Sequence, residues 1–119
     1  YGGLGEEGAL SDLQIFNLDS CTWLRPSLNK LGEADQPSPG AAHSHAAVAL
    51  DDNSVLLLGG EAGEDDLLDN THIYQIKSRN WYRLPMLAAA SNEPLGALSQ
   101  HSCVHLDGKL WVFAGLRPQ

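Results

Sequence analysis

Segments of this chain recur at a nearly constant spacing, and that recurrence limits the fold more than any other feature. Asp12 to Trp23 overlays Asn70 to Trp81, so that Ile15 falls on Ile73, Phe16 on Tyr74, Leu18 on Ile76, Ser20 on Ser78 and Trp23 on Trp81; Arg25 falls on Arg83. His45 falls on His101, Leu50 on Leu106 and Gly60 on Gly115 with almost the same shift. A unit of this length cannot bury its own faces and must stack on its neighbours.

The most complete copy runs from Gly40 to Pro85. Within it, Ser54–Leu58 is an apolar strand that reads as buried on both faces. Asp51-Asp52-Asn53 supplies turn chemistry before it and the Gly59-Gly60 doublet ends it. Thr71–Ile76 and Trp81–Leu84 make a second strand pair across Lys77–Asn80. Alternation also predicts strands near Asp12–Leu18, Trp23–Arg25, Ala42–Leu50, Ala97–Leu106 and Leu110–Phe113, the last two joined by Asp107-Gly108. Helix is confined to stray turns within 27–40 and 86–96. Leu4–Ser11 and Glu61–Asp69 read as loops. Four strands per period predict an all-β, propeller-type fold of four-stranded antiparallel blades.

Charge narrows the partners. The formal net charge is −8, which excludes the basic footprint that nucleic acids and anionic membrane surfaces require. No apolar run approaches the roughly 20 residues of a membrane span. Five acids stand between Glu61 and Asp69 with no base among them. Glu6-Glu7 and Glu64-Asp65 occupy matching positions in successive copies. With the neighbouring Glu61 and Asp66, they are the candidate partner-binding residues, an acidic rim suited to a protein or peptide with a basic segment. The plainer alternative is a solvated loop that keeps strand edges from aggregating.

Other chemistry finds little support in the residues. Cys21 and Cys103 lack the spacing of zinc or thioredoxin motifs and read as free thiols of a reducing, intracellular compartment, cytoplasmic or nuclear. His43 and His45 share a strand face, but His45 has a counterpart in His101, which favours a role in the repeat over metal binding. Ser44, Ser99 and Ser102 lie near histidines without a nucleophile-elbow motif. No catalytic residue, metal or cofactor is expected.

The doublets Gly2-Gly3 and Gly59-Gly60, with Phe16 and Trp23, and Tyr74 and Trp81, seven residues apart in each pair, resemble the kelch repeat family. The similarity covers essentially the whole chain. Two departures stand out: Ala114-Gly115 occupies the place of a third doublet, and Ala42 and Leu98 replace the arginine often found three residues before the strand histidine. The resemblance implies a β-propeller whose blades surround a channel, with aromatics between blades. It divides the chain into the second half of a blade (1–26), a complete blade (40–85) and the first half of another (96–119). The remaining blades of the ring are then expected outside these residues. Kelch relatives act as protein-interaction modules, among them substrate-recognition parts of ubiquitin ligases and adaptors. The alternative is an accessory or catalytic propeller of an enzyme, oxidase-like or fused to a transferase.

Overall fold

Main-chain hydrogen bonding accounts for the architecture of a computed structural model that describes residues 1–24, 38–84 and 96–118. Arg25, Pro26, Pro85 and most of the two long connections, with the helical turns expected there, lie outside the described residues. Among the described residues there is no helix. Twelve strands follow one another: β1 (Leu4–Gly5), β2 (Gly8–Ala9), β3 (Ile15–Asn17), β4 (Thr22–Leu24), β5 (Ala46–Ala49), β6 (Ser54–Leu58), β7 (Glu61–Gly63), β8 (Asp66–Leu67), β9 (Thr71–Gln75), β10 (Asn80–Leu84), β11 (Ser102–Leu106) and β12 (Lys109–Phe113). One four-stranded antiparallel sheet, in the order β10-β9-β6-β5, follows the two-stranded sheet β3-β4 along the chain and precedes β11-β12, whose strand β11 lies against β5. This is the all-β arrangement of neighbouring propeller blades, as the repeat predicts.

In the central sheet β6 lies between β5 and β9, with Leu58 opposite Ala46 on one side and Thr71 on the other. Leu56, Leu57 and Leu58 are buried, with Tyr74, and Ala42 and Leu98 join them from the segments that enter successive blades. Asn53 fastens the two hairpins at one end. Its carbonyl accepts from the Ile76 amide at 2.8 Å and its side-chain oxygen accepts from the Lys77 amide at 2.8 Å.

The structure corrects two expectations. Leu4–Ser11 and Glu61–Asp69 are not simple loops: each folds into a small antiparallel hairpin, β1-β2 and β7-β8. The expected strands near residues 12, 42 and 97 begin later, because backbone groups there bond elsewhere. The Asp12 carbonyl accepts from Gly2, so pairing starts at Ile15. Ala42 and His43 bond to the two hairpins, so β5 starts at Ala46. Leu98, Ser99 and Gln100 bond to Leu68, Leu116 and Ser44, so β11 starts at Ser102.

Candidate protein-binding face

The glycine doublets create the joints that set this face. Gly2 and Gly59 have φ near 66° and 64°, and Gly3 and Gly60 have φ of 111° and 106°. Such values suit glycine because it has no Cβ. Close approach adds a second requirement. A Cβ at Gly2 would strike the Ala42 carbonyl oxygen, and one at Gly59 would strike that of Leu98.

Each doublet then anchors the next repeat. The Gly3 amide donates to the Ala42 carbonyl at 2.8 Å, the Ala42 amide donates to Leu10, and the Leu10 amide returns to Gly3. One repeat later, Gly60 donates to Leu98 at 2.8 Å, Leu98 to Leu68, and Leu68 back to Gly60. These two closed circuits join the base of each hairpin to the segment entering the following blade. A further link runs from the Gln100 amide to the Ser44 carbonyl at 2.9 Å. Ser44 and Gln100 occupy matching positions, and both take left-handed backbone angles.

Two acid-tipped hairpins stand on these joints. Glu6 and Glu7 form the exposed tip of β1-β2; Glu64 and Asp65 form the exposed tip of β7-β8, and exposed Asp66 opens β8. Strand β2 lies against β7, so the hairpins are neighbours. Glu61 differs from the others. It is half-buried, its backbone pairs with His43, and its carboxylate lies 4.0 Å from the His43 ring. The structure therefore brings the five tip residues to one face and holds Glu61 at its root.

The aromatic positions behave according to what covers them. Trp81 packs edge-on against Tyr1 of the preceding repeat, with ring centroids 5.2 Å apart, and at a tilt of 50° against Tyr74 at 4.8 Å. Burial raises the Tyr1 and Tyr74 pKa values, with Asp12 adding to the effect at Tyr1. Trp23 meets Phe16 at 5.1 Å, yet it is 67% exposed. His45 and His101 sit in the joints themselves, and burial lowers the pKa of each. Both cysteines are free thiols, Cys21 exposed and Cys103 half-buried. Among the described residues no group of three His, Cys, Asp or Glu side chains is placed to hold a metal ion.

A profile of the KLHDC2/KLHL20/DRC7 Kelch-repeats domain matches residues 1–115. The chain belongs to the kelch-repeat family. Kelch-repeat domains are typically non-enzymatic and generally bind other proteins. Among curated relatives, human "Multiple epidermal growth factor-like domains protein 8" is 31% identical over 119 residues, 99% of this chain and 4% of its own length. The Bos taurus "Rab9 effector protein with kelch motifs" is 33% identical over 117 residues, 98% of this chain and 29% of its own. Rice "Adagio-like protein 3" is 26% identical, over 98% of this chain and 17% of its own. The kelch chain thus spans a minor part of the relatives it matches.

Sequence reasoning located the doublets and the tip acids but missed what Ala42, Leu98, Leu10 and Leu68 do. Their main-chain atoms close the joints. Periodicity held a signal for them, since each pair recurs at the kelch spacing and all four are apolar. Ala42 and Leu98, where family members often carry arginine, are buried at 2% and 1% exposure.

Proposed function

We propose that this kelch chain captures a basic segment of a protein partner on its hairpin face, through Glu6, Glu7, Glu64, Asp65 and Asp66. The observation that carries this reading is the side-by-side placement of two hairpins with acidic tips. Their carboxylates project from a hydrogen-bonded base, and charges within about a Debye length of 8–10 Å reinforce one another. Rigid scaffolds with exposed connections are where binding residues concentrate. The word "effector" in the name of one relative agrees with a protein partner.

The same proposal places the chain in an adaptor or in the substrate-recognition part of a ubiquitin ligase, inside the cell, in cytoplasm or nucleus. Two free thiols support the reducing compartment. It also divides the chain into half a blade (1–26), a whole blade (40–85) and half a blade (96–119). Further blades would then cover the apolar surfaces that remain exposed at Trp23 and Phe113.

A labelled peptide rich in lysine and arginine tests the binding face, with an acidic peptide as control. Association measured by stopped flow should be fast at low salt and slow as salt rises. Replacing Glu64, Asp65 and Asp66 with lysine should slow association by about tenfold at low salt and flatten its salt dependence, with the β-sheet signal intact. Equal rates and salt slopes for the two proteins would reduce the tips to a solubilising surface.

A further inference from the structure

The histidines of the repeat are not accounted for by partner binding. His101 is 7% exposed, and the Leu58 and Ser99 backbone carbonyls approach its ring without forming a well-aligned hydrogen bond to either nitrogen. Its ring edge packs where a Cβ of Gly59 would sit, at 2.9 Å, while its own Cβ packs equally closely against Gly115. The side chain therefore lies wedged between one repeat and the next. His45 repeats this placement against Gly2 and Gly60, and its Nδ1 is likewise buried without a partner. The wedged rings lie directly beside the backbone circuits, since Gly59 and Gly60 receive Leu98 as Gly2 and Gly3 receive Ala42.

The charged surroundings of both rings are one-sided. Among the described residues, the charge-bearing groups that face His45 are the His43 and His101 imidazoles, and the Tyr1 backbone carbonyl lies against its ring. The elements packed on His101 present the Leu58 and Ser99 backbone carbonyls and the glycines, and among the described residues its titratable neighbour is His45. The Glu61 carboxylate lies 4.0 Å from the His43 ring. A proton added to either ring creates a desolvated charge that faces, among the described residues, backbone carbonyls and other imidazoles rather than a carboxylate, and the cost of burial outweighs what the carbonyls return.

We propose that His45 and His101 make the joints between successive blades acid-sensitive, so that the blades separate at mildly acidic pH while each sheet stays paired. An imidazole held neutral by the fold contributes stability that is full above its unfolded value, about 6.5. That stability is lost as pH falls below this value toward the lowered folded one. Opening of the Gly3–Ala42 circuit also spreads the two acid-tipped hairpins, because Ala42 holds the root of the first while the adjoining His43 pairs with Glu61 at the root of the second. Acid thus releases whatever spans both tips.

Amide hydrogen exchange on the intact chain tests this between pH 7.5 and 5. Opening constants taken from protection factors at Gly60 and Leu98, and at Gly3 and Ala42, should rise up to about tenfold per pH unit for each histidine that takes up a proton. Amides within β6 serve as the internal control and should stay protected. His45→Gln with His101→Gln should abolish the rise at the joints. Independently of those variants, the imidazole resonances of the wild-type chain should resist protonation until the joints open. Free titration of both rings near pH 6.5 with the joints still protected would overturn the proposal. So would an identical pH profile in the Gln variants, or simultaneous loss of protection in β6.

Discussion

Ala114 shows how much of a backbone position can be inferred from its type, and where that inference stops. The sequence breaks the doublet pattern there, yet the backbone does not. Ala114 has φ of 58° and Gly115 of 102°, close to the angles of the two glycine pairs. Nothing in the string of letters marks an alanine as left-handed; the neighbouring glycine and the repeat force it. Left-handed backbone costs a residue with a Cβ about 1–2 kcal/mol. Ala114→Gly should therefore raise stability by up to about 1 kcal/mol in urea unfolding, after the added entropy of the unfolded glycine is offset. Gly60→Val should have the opposite effect. Its Cβ would lie 2.7 Å from the His43 carbonyl oxygen at φ of 106°, and a loss of more than about 2 kcal/mol is expected. Unchanged stability in both variants would mean that the joints tolerate a side chain.

At the level of elements, apolar alternation revealed the long strands because their faces are covered, and it failed where polar main-chain pairing governs. Ser54–Leu58 is β6 to the residue, since β5 and β9 flank it. The hairpins β1-β2 and β7-β8 escaped notice because glycine and acid strands of two or three residues carry no hydrophobic period. The tip acids and the glycine doublets were legible as repeated motifs; the joints between them are closed by main-chain atoms of Leu10, Ala42, Leu68 and Leu98, whose recurrence marks the positions but not the bonds they make. The paired aromatics carry a sharper test. Trp81 is covered by Tyr1 of the preceding repeat and Trp23 is exposed. Trp81→Ala should cost about 3 kcal/mol in denaturant unfolding, and Trp23→Ala less than about 1 kcal/mol. Equal costs would remove the packing between repeats as the role of this tryptophan.

Across the whole molecule, two flanking sheets leave apolar faces in solvent. Trp23 and Leu18 are exposed on one side, Trp111, Phe113 and Val104 on the other. Among the described residues, β3 and β12 each pair along a single edge, with β4 and β11 respectively. Open edges beside apolar faces recruit further strands. Light scattering of the isolated chain should show concentration-dependent association, and weak guanidinium should reverse it before the sheets unfold. A stable monomer at high concentration would show that these faces are self-sufficient.

The two hairpins differ in length, yet the circuits below them match. From Gly3 to Leu10 is one residue shorter than from Gly60 to Leu68, and the irregular register between Glu61 and Gly63 takes up the difference. A bulge of this kind absorbs an extra residue locally. Tip and foundation are therefore separable, like a tool head on a standard shank. A short foreign loop grafted between Glu64 and Asp65 would be displayed without disturbing Gly60 or Leu68, so this face can be re-equipped for a new ligand while the scaffold stays as it is.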